Sequence, residues 1–138
     1  IVFMIRNDVG KIIGGVGRSL NSIVLPKWYV YGSRAYPFIC GNSGTAVVVE
    51  DCASACAVSE DFTGVALMGT SLPEEYIDIL QTKYSEIIIA LDRDATVKAF
   101  DMARELGYRS KTKVVMLEDD LKYYKPNDIR EILCKSVS

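Results

Sequence analysis

Four short runs constrain the fold more than anything else in this chain: Thr45–Glu50, Gly64–Met68, Glu86–Leu91 and Lys113–Leu117. Each is largely apolar between its ends and rich in β-branched residues. Val47-Val48-Val49 and Ile87-Ile88-Ile89 are unbroken, whereas a strand with one wet face alternates in polarity. Such runs suit strands covered on both faces, the usual condition of a parallel sheet. Amphipathic or small-residue segments separate them. Cys52–Val58 is short. Ser71–Leu80 opens with Ser71, Pro73 and Glu74, a capping-box pattern with an early proline. Ala95–Leu106 places Val97, Phe100, Ala103 and Leu106 along one face and stops at Gly107, and Asn127–Leu133 repeats the pattern with Ile129, Ile132 and Leu133. The β-α alternation predicts an α/β fold, a mainly parallel central sheet flanked by helices.

The first part of the chain reads differently. Ile1–Ile5 and Ile12–Arg18 are apolar strands joined by Arg6-Asn7-Asp8-Val9-Gly10, a hairpin turn. Gly, Ser, Pro and aromatic residues dominate Leu20–Ser43, which reads as an irregular connection. Residues 1–43 are therefore expected to form a small antiparallel, β-rich basic subdomain, and residues 44–138 the α/β domain. Charge follows a similar division. Residues 1–48 hold five basic side chains and one acidic one, net +4, whereas residues 49–138 are net −6. That split suits a protein that holds a polyanion with one part and divalent cations with another.

Several chemistries are excluded. The 138 residues include no histidine, which removes Ser-His and Cys-His nucleophilic pairs and imidazole-bearing zinc sites. Cys40, Cys52, Cys56 and Cys134 lack the two-pair spacing of a zinc knuckle, so no zinc is expected. Cys52 and Cys56, at i and i+4, read as small buried hydrophobes on one helix face. No window approaches the roughly 20 apolar residues of a bilayer span, and no signal peptide opens the chain. A soluble cytoplasmic protein without a membrane partner is expected. The start at Ile1 rather than Met reads as a piece of something longer.

Ligands of an open parallel sheet bind beyond the carboxyl ends of its strands. Here the first run ends in Glu50, followed by Asp51. The second leads into Gly69-Thr70-Ser71, the third into Asp92-Arg93-Asp94 and the fourth into Glu118-Asp119-Asp120. Carboxylates from separate strands, without histidine, are the donor set of a hard cation such as Mg²⁺. Two such cations suit phosphoryl transfer. Gly69 permits close backbone approach, and the N–H groups that follow can hold a phosphate. Asp51 and Asp119 equally read as helix caps or solvated loop residues, and Asp94 as a cap for the helix from Ala95.

The ordered series Val47-Val48-Val49-Glu50, Ala66-Leu67-Met68-Gly69-Thr70-Ser71 and Ile87-Ile88-Ile89-Ala90-Leu91-Asp92-Arg93-Asp94-Ala95 resembles the Toprim domain. Topoisomerases, bacterial-type primases, small nucleases and recombination-mediator proteins share that domain. Lys98-Ala99, Ala103-Arg104-Glu105-Leu106 and Lys125-Pro126-Asn127-Asp128-Ile129 continue as in primases. The N-terminal stretch from Phe3 to Arg18, with its Asp8-Val9-Gly10 turn and Gly17-Arg18 ending, and Pro26-Lys27-Trp28 resemble the entry into a bacterial or phage primase core. The resemblance covers nearly the whole chain.

That resemblance implies a nucleotidyltransferase, a DNA-directed RNA polymerase of primase type. It would make RNA primers from ribonucleoside triphosphates on single-stranded DNA during replication. Glu50, Asp92 and Asp94 would be catalytic and hold Mg²⁺ or Mn²⁺ in a two-metal site, with Asp119 and Asp120 as further candidate ligands. Arg18, Lys27, Gly69, Thr70 and Ser71 would bind nucleotide or template, with Trp28, Arg34 and Lys98 as additional candidates. A replicative helicase would be met through parts outside this stretch, in a bacterial cell or phage-infected host. The chain departs from the primase pattern at Asp51, Ser54, Arg93, Lys125, Asn127 and Cys40, and the changes at Ser54, Lys125 and Asn127 thin the outer ligands of the second metal. Two rivals follow: a Toprim nuclease, and a catalytically weakened Toprim module that only binds nucleic acid.

Overall fold

A computed structural model describes residues 1–18, 28–33, 35–68, 72–117 and 121–134, with Trp28, Tyr29 and Lys122 described for the backbone alone. Eight strands and four α-helices form among these residues. Strands β1 (Val2–Arg6), β2 (Ile12–Arg18) and β3 (Trp28–Gly32) make an antiparallel three-stranded sheet in that order. The remaining strands are β4 (Phe38–Cys40), β5 (Thr45–Val49), β6 (Thr63–Ala66), β7 (Glu86–Ile89) and β8 (Lys111–Val114). They form a five-stranded sheet in the order β4-β6-β5-β7-β8, parallel except for β4 against β6. Helices α1 (Cys52–Ala57), α2 (Glu74–Lys83) and α3 (Thr96–Leu106) make the crossovers, and α4 (Pro126–Cys134) follows β8.

The hairpin between β1 and β2 forms as its turn residues dictate. The Asn7 carboxamide accepts the Val9 and Lys11 N–H groups at 3.1 and 2.9 Å, and Gly10 takes the left-handed conformation at φ 82°. The register slips between Ile5 and Arg6, leaving Ile13 as the extra residue of a bulge.

The unbroken apolar runs are covered on both faces, as their composition demands. Val47, Val49, Ile88 and Ala90 pack on one face against Cys52, Ala55 and Val58 of α1 and its C-cap and Ile129 and Leu133 of α4. Ile5 and Val16 of the three-stranded sheet join the same cluster, and Phe3 meets Phe38 edge to face at 5.3 Å. Ala46, Val48, Ile87 and Ile89 pack on the other face against Tyr76 and Leu80 of α2 and Ala99, Met102 and Leu106 of α3. Successive residues thus serve opposite cores.

Some expectations change. The 20–43 stretch contains β3 and β4, not only connection. β3 pairs with β2 from Arg18↔Trp28 to Gly14↔Gly32, and its aromatic residues carry strand propensity that the surrounding turn residues mask. β4 lies ahead of residue 44 yet pairs with β6. Val97 is 73% exposed and Phe100 45%, so the buried stripe of α3 is Ala99, Met102 and Leu106. Small alanines at 95 and 99 let this stripe sit close to β7 and β8, and bulk alone pointed to the wrong face. Pro73 stands at the N-cap of α2, without a side-chain cap bond, rather than inside the helix. The fourth strand occupies 111–114, earlier than its apolar run, with Val115 and Leu117 buried beyond it. No helix among the described residues is long and apolar enough to cross a membrane.

Candidate functional site

The strand order places a crevice at one point. From β5 the chain crosses to β6 on one side, then returns past β5 to β7 on the other. The carboxyl end of β5 is therefore the switch point where ligands of open α/β sheets bind. Glu50 is the next residue. It is half-buried, and its carbonyl accepts the Met68 N–H at 2.7 Å, which extends the β5–β6 pairing by one step.

β7 delivers the other two carboxylates to the same edge. Val48 pairs with Ile89, so Glu50 lies two residues beyond that pair and Asp92 three. Ala90 and Leu91 are buried, and the chain surfaces at half-buried Asp92. It then enters a 3-10 turn over Arg93–Ala95 that leads into α3. The Ala95 N–H donates to the Asp92 carbonyl at 2.9 Å, and the Thr96 hydroxyl donates to the Arg93 carbonyl at 2.6 Å. These bonds fix the turn that carries exposed Arg93 and Asp94. Asp94 is not the N-cap of α3; Ala95 occupies that position, without a side-chain cap bond.

Asp51 has a separate job. Its carboxylate accepts the Ser54 N–H at 2.8 Å and caps α1. The departure at Ser54 thus sits inside a helix cap, with its side chain buried.

The donor set at this edge fits a hard divalent cation by its chemistry, since it is carboxylate oxygen with no competing imidazole. Among the described residues, however, no three His, Cys, Asp or Glu side chains stand together as a group able to hold a metal ion. Glu50, Asp92 and Asp94 share an edge without closing into a coordination shell.

Of the expected phosphate-binding residues, Arg18 is the last residue of β2, half-buried, paired with Trp28, and its N–H donates to the Ile1 carbonyl at 2.8 Å. Trp28 opens β3. Lys98 is exposed on the first turn of α3. Lys27, Arg34, Gly69, Thr70, Ser71, Asp119 and Asp120 lie outside the described residues.

One residue of the site escaped the sequence. Met68 adopts a left-handed backbone, φ 58°, at the point where the chain leaves β6 toward Gly69. Non-glycine residues enter this region rarely. Two bonds hold it there: its N–H to Glu50, and its Sδ accepting the Cys52 thiol at 3.6 Å. No side-chain property of methionine announces such a conformation.

No family model matches the sequence, and no curated protein matches it. Solved structures do. A DNA primase domain from Pseudomonas aeruginosa matches with a TM-score of 0.76 at 20% identity, over 98% of this chain and 50% of that one. The zinc-binding and RNA polymerase domains of the Aquifex aeolicus primase match with a TM-score of 0.76 at 22% identity, over 99% and 40%. A DnaG primase catalytic domain bound to ssDNA matches with a TM-score of 0.70 at 20% identity, over 94% and 47%. The chain spans half or less of the length of these structures. Matched across almost all of its own length, it has the fold of a bacterial-type primase core, with a Toprim-type parallel sheet preceded by an antiparallel one.

Proposed function

We propose that this chain is the polymerase core of a primase, joining ribonucleoside triphosphates into RNA primers on single-stranded DNA. The observation that carries this reading is the match of nearly the whole chain, its antiparallel sheet included, to primase catalytic domains, one of them bound to ssDNA. The acidic edge supports it. Glu50, Asp92 and Asp94 would hold Mg²⁺ or Mn²⁺, with Asp119 and Asp120 as further ligands. When bound, such cations supply the charge that activates an attacking hydroxyl and stabilises departing pyrophosphate. Arg18, Lys27 and the backbone N–H groups of Gly69, Thr70 and Ser71 would hold template or nucleotide phosphates, with Trp28, Arg34 and Lys98 as further contacts. Replicative helicase contact would fall to parts outside this stretch, in the cytoplasm of a bacterium or phage-infected host.

Ser54, Lys125 and Asn127, where primases carry carboxylates, support a second reading, a Toprim module that binds nucleic acid with a weakened metal centre. One assay separates the readings. With single-stranded DNA, ribonucleoside triphosphates and Mn²⁺, the chain should release pyrophosphate and make short RNA. Glu50→Gln and Asp92→Asn should each lower that rate by roughly 10²-fold or more and weaken Mn²⁺ binding in calorimetry. Nicked DNA without pyrophosphate would mean a nuclease. DNA affinity indifferent to metal, with neither product, would mean the binding module.

A further inference from the structure

A second cluster of reactive side chains lies away from the acidic strand ends. Cys40 ends β4 and Cys56 stands near the end of α1, both packed against the same core cluster and each within electrostatic reach of the other. The backbone builds this proximity. Cys40 pairs with Gly64 across the β4–β6 ladder, and the Ala55 backbone seats directly on Gly64, where a Cβ would collide with it. The residue after Ala55 is therefore held against the residue beside Gly64. Both thiols are half-buried and within reach of a small molecule, while Cys52 is fully buried and Cys134 exposed.

We propose that Cys40 and Cys56 are a reversible oxidation site that closes into a disulfide on reaction with a low-molecular-weight disulfide of the glutathione type. One thiol, as thiolate, attacks a sulphur of the oxidant, breaking its S–S bond and releasing one thiol. The second protein thiolate attacks the mixed disulfide, forming the Cys40–Cys56 bond and releasing the other thiol. Two protein thiols lose two electrons and two protons, and the oxidant becomes two thiols. Cys52 is the wrong partner: it lies four residues from Cys56 on the same helix, and its thiol already donates to Met68. Burial pushes the Cys56 thiol up to about 12, so closure is slow at neutral pH and depends on the backbone holding the two residues close. Because α1 begins just after Glu50-Asp51, the bond would tie the segment leaving Glu50 to edge strand β4.

The test treats the full chain with oxidised glutathione in mildly alkaline buffer, blocks remaining thiols with maleimide, and maps linked peptides by mass spectrometry. The expected result is a Cys40–Cys56 peptide, with both of these thiols closed to maleimide, and reopening by dithiothreitol. The Tm of the oxidised form should rise by several degrees. Cys40→Ser should trap a glutathione adduct on Cys56 instead, and Cys52→Ala should still close. A bond made from Cys52, or Cys40 and Cys56 both remaining open to maleimide while Cys134 reacts, overturns the proposal.

Discussion

Met68 shows how a single backbone angle can matter more than a side chain. A left-handed conformation costs a non-glycine residue about 1–2 kcal/mol, and here it lies beside Glu50. Met68→Gly removes that strain and should hold stability within about 1 kcal/mol of the parent despite losing the thioether contact. Met68→Val puts a β-branched side chain at positive φ and should cost roughly 2 kcal/mol or more in urea unfolding. If the two variants unfold alike, the angle is not what holds this corner. Cys52 makes a pH prediction. Burial, then neighbouring Cys56 and Asp51, push its thiol from 9.0 up to about 12. A group whose folded pKa is raised adds stability that is whole below the unfolded value and fades above it. Stability should therefore fall between pH 9 and 12, by up to about 4 kcal/mol, and Cys52→Ala should flatten that decline in pH-dependent thermal melts. At this scale the acidic residues were legible because each closes or follows an apolar run. Met68 was not, because a main-chain angle leaves no mark on composition.

Among the elements, α1 is the most tightly specified. It sits on Gly64, with no room for even one methyl group between helix and strand. Gly64→Ala must push the helix outward and should destabilise by about 3 kcal/mol or more. Asp51→Ala removes the cap, about 1 kcal/mol, and should leave Mn²⁺ affinity unchanged; a loss of affinity would return Asp51 to the metal site. The Arg130–Asp61 bridge, with contacts of 2.9 to 3.2 Å, ties α4 to the loop after α1. Both partners keep solvent contact, so its removal should cost no more than about 1 kcal/mol. The parallel strands were legible because full burial forces unbroken apolar runs. Three-residue β4 offers no period to read, and the buried face of α3 is set by alanines whose contribution is closeness rather than bulk.

Across the whole molecule, the two sheets share one core through Ile5, Val16 and the Phe3–Phe38 contact. Arg6, Lys11 and Arg18 thus stand on a unit packed against the second sheet. If that unit holds a nucleic-acid backbone, affinity for single-stranded DNA should fall steeply with salt. Arg18→Ala and Lys27→Ala should each reduce the slope of log affinity against log salt by about 1. An unchanged slope would leave Arg18 as a strand-end packing residue.

Strand order also has a consequence in time. β5 lies at the centre of its sheet, but Thr45 finds its partner Glu86 only after 40 further residues have been made. Until then Val47-Val48-Val49 presents a sticky, one-sided edge to a growing chain. The antiparallel hairpin needs no such wait, since its partners are near neighbours in sequence. Synthesis thus delivers the basic arm early and brings Glu50 and Asp92 to a common edge late. A chain stopped before β7 would carry the arm and lack the centre.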